Sequence, residues 1–258
     1  MVEKTPGYAS IHRSSLDPRV RLASTLRFLA GGAWQDCARL HGQKKATFYI
    51  HFRETLDAIM ACEEIDVDWT DRDELSALEE ECSLGGAGKG KFRGIIGYLD
   101  GVVFRCRRPW VGELPKLTDL YCGRKKFWGI SAQAACTSGL RFTFFAVVAG
   151  SNAHDSTAFR LTELGKLTQK PASEGGLPTP FFFVADAAYA GHKHVVTPFA
   201  GVHAIGSEED TFNYVQSSKR MAIERAFGVL VRRWGILWRK LEFDFKLNCK
   251  ILQVASWQ

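Results

Sequence analysis

The sequence predicts an α/β protein in which a mixed β-sheet domain follows a small all-α module. Three patterns support this fold class: helical spacing of apolar residues over 17–60, four strand-like segments after the Gly-rich stretch 85–94, and a long amphipathic helix near the C-terminal end. Because three of the four strands precede the first helix of the second part, the order β-β-β-α-β-loop-α indicates a mixed sheet with an antiparallel meander.

The N-terminal module is expected to begin at Asp17 and Pro18, which supply a helix N-cap and a proline at the first helical position. The pair Gly31-Gly32 ends this first helix, and two more helices are expected over 34–41 and 44–60. Residues 33–53 have the spacing of a helix-turn-helix, with Ala38 in its first helix.

In that motif Gly42 makes the turn, and Phe48 packs inward from the second helix. The alternative is an ordinary helical hairpin without a DNA-binding role. The residues that the motif would offer to DNA are Gln43, Lys44, Lys45, Thr47 and Tyr49 toward the groove, with Arg39 and Arg53 placed for phosphates.

We divide the chain into a helix-turn-helix-like module (1–62), an acidic and then Gly-rich linker (63–91) and a mixed-sheet domain (92–258). Residues 54–81 contain twelve Asp and Glu against one Arg, which is typical of a solvated connector. In the third part, strands are expected at 95–104, 130–136, 141–148 and 181–185, and helices at 154–167 and 217–238.

The composition of the 258 residues indicates a globular protein with a sizeable core, because 46% are hydrophobic and 24% are charged. No apolar run approaches the roughly 18–20 residues that span a bilayer, so no membrane partner is expected. The N-terminus lacks the apolar region of a signal peptide, which predicts an intracellular protein. Seven scattered Cys without a CxxC pair argue against a zinc ribbon.

Positive charge is concentrated in two blocks. The formal net charge is +6, and residues 1–53 carry nine Lys and Arg against three Asp and Glu; residues 219–250 repeat the imbalance. Two basic blocks around an acidic one suggest two surfaces that face nucleic acid, although charge alone is equally compatible with solvated faces. On the last long helix, Arg225 and Arg232 lie opposite the apolar stripe, where they face either a DNA backbone or solvent.

Two acids stand where acids are costly. Asp100 interrupts an apolar strand, and Asp186 ends the apolar run at 181–185. A buried carboxylate normally has a cation, a metal or several donors beside it. We expect the first and fourth strands to be neighbours, which directs both carboxylates into one cleft. Each acid taken singly is as readily a turn residue, a cap or half of an ion pair.

A third acid, Glu224, lies on the last long helix, at the edge of its apolar stripe. The stripe is formed by Ile223, Phe227, Leu230, Trp234 and Leu237. Carboxylates that converge without His or Cys form a hard-oxygen site, which suits Mg²⁺ or Mn²⁺ and disfavours Zn²⁺. Such a site supports in-line displacement at a phosphodiester by water or a 3′-hydroxyl, with two metal ions.

Around these acids the sequence resembles the PIF/Harbinger-type transposases and Harbinger-derived nucleases of the DDE endonuclease superfamily. Order and spacing match over about residues 92–250. The motifs that carry the resemblance are GYLDGVVFRCRRP (97–109), YCGRKKFWGISAQAAC (121–136), AGSNAHDSTAFR (149–160), FVADAAYAG (183–191) and MAIERAFGVLVRRWGIL (221–237).

The resemblance implies an RNase H-like catalytic fold, Mg²⁺ or Mn²⁺ as cofactor, and metal ligands at Asp100, Asp155, Asp186 and Glu224, with Asp100, Asp186 and Glu224 catalytic. From the residues alone, Asp155 is as readily the cap of the helix that begins there. Implied partners are DNA with inverted repeats at transposon ends, an accessory DNA-binding protein and a second copy of the chain, and the implied location is the nucleus.

The sequence departs from the family pattern in two places. Relatives commonly have a Gly-Asp-Ser-Gly-Tyr-Pro-like run after the fourth strand, whereas residues 185–190 read ADAAYA. The last helix usually continues in relatives, so the chain that ends at Gln258 is expected to have a shortened C-terminus. Both departures leave open a second hypothesis, a transposase-derived DNA-binding protein that has lost catalysis.

Overall fold

The computed structural model describes residues 16–62, 67–83, 92–123, 125–148 and 154–257. The helices are α1 (Pro18–Leu29), α2 (Trp34–Arg39), α3 (Lys45–Met60), α4 (Arg72–Ser83), α5 (Asp155–Leu161), α6 (Glu163–Leu167), α7 (Glu208–Arg233) and α8 (Phe245–Ser256). The strands are β1 (Ile95–Arg105), β2 (Tyr121–Cys122), β3 (Phe127–Cys136), β4 (Phe142–Val148), β5 (Phe182–Val184) and β6 (Val195–Val196). Short 3₁₀ turns include Leu117–Leu120, Ala172–Glu174, Ala187–Tyr189 and Gly235–Trp238.

The strands form a mixed sheet, as the sequence predicted. β3 pairs antiparallel with β1, β2 and β4, which is the expected meander. β1 also pairs in parallel with β5, and β5 pairs in parallel with β6. The expected adjacency of the first and fourth predicted strands is therefore confirmed, and it brings Asp100, within β1, near Asp186, which follows β5.

Successive residues of β1 point to opposite faces of the sheet and reach two different parts of the core. Tyr98 belongs to a cluster that includes Ile223 of α7 and Ile251 of α8. Leu99 belongs to a second cluster with Phe159 of α5 and others. The sheet is thus covered on both faces, with α7 and α8 on one side and α5 and α6 on the other.

Two helices differ from their expected bounds because of local capping. The helix expected over 154–167 breaks at Thr162, whose side chain accepts a hydrogen bond from the N–H of Gly165 at 3.0 Å and starts α6. α7 begins at Glu208, well before 217, because the Ser207 side chain caps it by accepting from the N–H of Asp210 at 3.2 Å. Three acids in its first turn favour this start, since they complement the helix dipole.

The segment 63–91, predicted to be a linker, contains α4. Its acid-rich composition obscured an apolar stripe of Leu75, Leu78 and Cys82, all buried. α4 is bound to β1, because the Tyr98 hydroxyl donates to the carbonyl of Cys82 at 3.1 Å. Residues 63–66 and 84–91 lie outside the described residues, and the domain boundaries at 62 and 91 stay predictions.

The N-terminal helices share the core of the sheet domain. Asp17 caps α1 as expected, accepting from the N–H of Arg19 at 2.8 Å. Leu29 of α1 and Phe52 of α3 lie in the same cluster as α7 and α8. α2 and α3 form a packed helical hairpin in which Ala38 and Phe48 are buried together. Across the described residues, no helix is both long and apolar enough to cross a membrane.

Candidate active site

The register of two parallel strands brings Asp100 and Asp186 to the same edge of the sheet. Tyr98 of β1 lies opposite Val184 of β5, and each acid stands two residues further along its chain. β5 ends at Val184 while β1 continues, so the pairing with β5 ends before Asp100, which is still paired with Ala134 of β3. The Asp100 side chain is 20% exposed, and its Oδ1 accepts from the N–H of Gly101 at 2.8 Å.

The turn that carries Asp186 is held by hydrogen bonds on both sides. Asp186 Oδ1 accepts from the N–H of Ala188 at 2.9 Å and caps the 3₁₀ turn that follows. Gln216 of α7 donates its Nε2 to the carbonyl of Ala185 at 2.6 Å. These bonds join the end of β5 to α7, and the Asp cap forms although the turn is rich in Ala.

The Asp155 side chain lies beside Gly101 of β1 and does not cap α5. The N-cap of α5 is His154, which makes no side-chain capping bond, and Asp155 is the first helical residue. Asp155 Oδ1 lies 3.5 Å from the Nε2 of Gln133, whose Oε1 accepts from the Tyr189 hydroxyl at 2.6 Å. A Cβ placed on Gly101 would stand 2.5 Å from the same Asp155 oxygen. Asp155 therefore lies beside the residue that follows Asp100.

A buried histidine helps to hold α5 in this place. The His192 ring lies between Ser156 Oγ, 3.2 Å from Nε2, and the Gln169 side chain, 3.0 Å from Nδ1. Burial lowers the pKa of His192, and the charge of Arg160 adds to this effect, so the ring is neutral around pH 7. Ser156, the residue next to Asp155, is thus linked through His192 to the loop that follows Asp186.

Glu224 is connected to the other acids through Arg220. Arg220 Nη1 lies 2.9 Å from Glu224 Oε1, one turn along α7, and 3.4 Å from Asp100 Oδ2. The Glu224 side chain is 53% exposed, more than its expected edge position suggested. Ile223 beside it is fully buried, which fixes the orientation of α7.

The charges of the site perturb its titrating groups. Burial raises the pKa of Asp100 to about 6, and the nearby negative charges of Asp186 and Asp155 add to this effect. The Gly101 N–H and the Arg220 guanidinium act in the opposite direction. Burial also raises the pKa of Tyr189, with further contributions from the same three carboxylates. Asp100, Asp155 and Asp186 therefore interact as one acidic cluster.

The donor chemistry of this cluster fits a hard divalent cation. The candidate ligands are carboxylates without His or Cys, the set that Mg²⁺ and Mn²⁺ favour. Burial is the main cause of the raised pKa of Asp100, and the negative charges of Asp186 and Asp155 raise it further. Within the described ranges, however, no three or more His, Cys, Asp or Glu side chains are already grouped to hold a metal ion. The Arg220 guanidinium lies between Asp100 and Glu224.

Three residues of the site had no role in the sequence interpretation: Arg220, Gln133 and Tyr189. Two of them carried a signal in the sequence. Arg220 precedes Glu224 by four residues on a helix, the spacing of an ion pair. Gln133 is a polar residue inside an apolar strand, where a buried amide needs partners. Tyr189 lies in the FVADAAYAG motif, but its contact with Gln133 depends on tertiary structure.

Most residues predicted to contact DNA lie at or near the surface, but the Gln43 side chain is directed inward, with its Oε1 3.1 Å from His51 Nδ1 and its Nε2 buried. Arg39, Lys44 and Lys45 are exposed around α2 and α3, and Thr47 is partly exposed. The Nζ of Lys45 lies 5.2 Å from the centroid of the Trp34 ring, and Arg53 forms an ion pair with Asp244 at 2.9 Å. Arg225 and Arg232 are exposed on α7, the helix that carries Glu224.

A family model described as DDE superfamily endonuclease matches residues 99–257. The chain belongs to this family. The matched range begins one residue before Asp100 and includes Asp155, Asp186 and Glu224. Neither the curated proteins nor the solved structures gave a significant match to the chain. DDE superfamily endonucleases act on DNA and generally use divalent metals, and membership indicates nuclease or transposase activity.

Proposed function

We propose that this protein is a metal-dependent DNA endonuclease or strand transferase of the PIF/Harbinger type. Asp100, Asp186 and Glu224 are its catalytic acids, and Asp155 is a further metal ligand. The observation that supports this proposal is that the four acids are linked through shared neighbours. Strand register places Asp100 and Asp186 two residues beyond the paired Tyr98 and Val184, Asp155 lies beside Gly101, and Arg220 joins Glu224 to Asp100.

The four carboxylates would hold the Mg²⁺ or Mn²⁺. When bound, these ions would activate a water or a 3′-hydroxyl and stabilise the leaving 3′ oxygen. The strands β1 and β5 and the helix α7 belong to one core. The acids on or next to these elements are therefore held rigidly, which favours positioning of a reacting group.

The surrounding residues support the ligands and the substrate. Tyr189 and Gln133 orient Asp155, and the Ala188 N–H orients Asp186. Arg220 balances the charge of Asp100 and Glu224 before substrate arrives. Its guanidinium can then turn to a phosphate, which it binds in the same bidentate manner as a carboxylate.

DNA would reach the site along two basic surfaces. Arg225 and Arg232 are exposed on the same helix as Glu224 and fit a phosphate backbone. The α2–α3 hairpin would act as a helix-turn-helix, with Arg39, Lys44, Lys45, Thr47 and Arg53 toward DNA. Inverted repeats at transposon ends are the proposed target. We further propose that the protein works in the nucleus, as a homo-oligomer and with an accessory DNA-binding protein.

A second candidate is a DNA-binding protein that keeps the fold without catalysis. The observation that favours it is the placement of Arg220, whose guanidinium contacts both Asp100 and Glu224 where a metal ion would otherwise sit. In that case the ion pairs would have replaced the metal as the balance for the acids, and DNA binding would persist without divalent cations.

The test is cleavage of supercoiled and inverted-repeat DNA in Mg²⁺ or Mn²⁺, with unfolding followed in parallel. We expect Asp100→Asn, Asp186→Asn and Glu224→Gln each to reduce the cleavage rate by more than about a hundredfold, because even the partners of metal ligands contribute about 10–100-fold. Mg²⁺ should raise the unfolding temperature of the wild type and not of Asp100→Asn.

Glu208→Gln is the matched control, because it removes an exposed carboxylate from the same helix about 24 Å from Glu224. It should cleave at the wild-type rate. DNA binding without metal-dependent cleavage would establish the second candidate, and cleavage unaffected by all three substitutions would refute the assigned site.

A further inference from the structure

A pocket of about 580 Å³ lies between the N-terminal helices and the segment 236–243 that follows α7. None of the four acids of the candidate active site lines it. Its volume is within the range of about 300–1,000 Å³ found for small-molecule sites. The pocket is therefore large enough for one nucleotide-sized ligand and is separate from the acidic cluster.

The walls of the pocket are aromatic. Phe28, Trp34, Tyr49 and Phe243 line it, and each is only partly buried. The ring centroid of Tyr49 lies 6.1 Å from that of Trp34 and 5.9 Å from that of Phe243. Partly exposed rings of this kind are platforms on which nucleic-acid bases stack, whatever the base.

The rim of the pocket is basic. Four cationic side chains line it, Lys45, Arg53, Arg239 and Lys240, against one carboxylate, Glu242. Lys45 and Arg239 are exposed.

Two of these cations are paired. Arg53 pairs with Asp244 at 2.9 Å and Lys240 with Glu242 at 3.0 Å, but both cationic side chains are about half exposed. Exposed ion pairs are weak, so a phosphate can compete for these cations.

We infer that this pocket binds an unpaired nucleotide of the DNA, with the base against Tyr49 and Trp34 and its phosphate at Lys45 and Arg239. The inference rests on the proposed function in that DNA is the substrate. Aromatic walls with a cationic rim match a flat apolar base that carries an anionic phosphate. Lys45 and Arg53 are also predicted DNA contacts, so the pocket continues the proposed DNA-binding surface.

The nucleotide must be unpaired to enter. Bases inside a duplex are stacked on their neighbours and cannot reach a pocket without being extruded. A single-stranded extension at a cleaved end, or a base released from the stack, meets this requirement. The pocket would then hold a DNA end or a distorted junction, while the acids act elsewhere on the same molecule.

The test compares binding of a blunt duplex and of the same duplex with a short single-stranded 3′ extension, using fluorescence anisotropy on the full chain in EDTA. We expect the extended duplex to bind about tenfold more tightly. Tyr49→Leu, which removes the aromatic face, should abolish this preference, and Tyr49→Phe, which keeps the face, should retain it. A photoreactive thiothymidine in the extension should crosslink to Trp34 or Tyr49, located by mass spectrometry.

Equal affinity for the two duplexes, or crosslinks only outside the pocket, would overturn the inference. The inference would also be overturned if the protein were a dimer that Tyr49→Leu dissociates while the preference for the extended duplex persists. The pocket would then be an interface between copies of the chain. Should Tyr49→Leu fail to fold, the exposed pair Lys45→Gln with Arg239→Gln must reduce the preference instead.

The outcome is distinguishable from failure of the proposed function. Metal-dependent cleavage without a preference for the extension would refute only the pocket. A preference that Tyr49→Leu removes, in a protein that does not cleave, would refute only the proposed chemistry.

Discussion

Asp100 carries its negative charge at a cost to the stability of the fold. Its side chain is mostly buried, and two further carboxylates lie near it. The Gly101 N–H and Arg220 offset only part of this cost, since the pKa still rises to about 6. Such a site is destabilising without a cation and suited to receiving one.

At the scale of the single residue Asp100, we predict that the stability of the folded protein depends on pH. An acid whose pKa is raised by folding binds more protons in the folded state, so stability falls as pH rises from about 4 to about 6 and stays lower above that range. Two pKa units correspond to about 3 kcal/mol, an upper limit for this group. In EDTA, Asp100→Asn should be about 1–3 kcal/mol more stable than wild type at about pH 8 and equal to it at about pH 3. Urea unfolding at the two pH values measures this, and a variant less stable than wild type at about pH 8 would contradict it.

At the scale of elements, the Asp155 side chain at the start of α5 lies so close to Gly101 of β1 that a side chain at position 101 would have to displace it. A Cβ at position 101 would stand 2.5 Å from Asp155 Oδ1 and 2.7 Å from Gln133 Nε2. The requirement is one of space, because Gly101 does not have a positive φ. The position of Asp155 relative to Asp100 therefore depends on the absence of one methyl group.

We predict that Gly101→Ala displaces Asp155 and lowers the rate of metal-dependent cleavage by about a hundredfold, since a shift of about 1 Å can have this effect. Single-turnover cleavage kinetics and the Mg²⁺-induced rise in unfolding temperature measure the two consequences. Gly123→Ala is the control, because the space around that glycine is open. Unchanged kinetics in Gly101→Ala would show that Asp155 is not needed where it lies.

Elements were predictable where the signal is local. The Asp17 cap, the apolar strands and the adjacency of β1 and β5 followed from residue spacing and strand order. The break at Thr162 and the early start of α7 depended on single side-chain caps. α4 was missed because twelve acids over 54–81 outweighed its three buried apolar residues in the composition.

At the scale of the whole molecule, the N-terminal helices and the sheet domain are packed as one body. Gly235, after α7, lies against the end of α1, where an added Cβ would be 2.5 Å from the carbonyl oxygen of Ala30. Arg53 and Asp244 connect α3 to the start of α8. Leu29 and Phe52 share a core with the sheet. This packing also forms the pocket between α1–α3 and 236–243.

We predict that the chain unfolds in one transition and that Gly235→Ala destabilises it by about 1–3 kcal/mol, the usual cost of overpacking. Gly228→Ala, on α7 with open space around it, should be neutral or stabilising by up to about 1 kcal/mol. Urea unfolding followed by far-UV circular dichroism and by tryptophan fluorescence provides the measurement. An early separate transition of the N-terminal helices would show that they fold as an independent module.

The sequence by itself determined the mixed sheet, membership of a DDE endonuclease family and the choice of candidate acids, because each depends on residue type and spacing along the chain. Tertiary structure alone decided that Asp155 leans over β1 instead of capping α5, that Arg220 joins Asp100 to Glu224, and that four aromatic rings meet in a basic-rimmed pocket. The physical reason is that these contacts join residues distant in sequence. Their distances depend on how the elements pack, which no local pattern records.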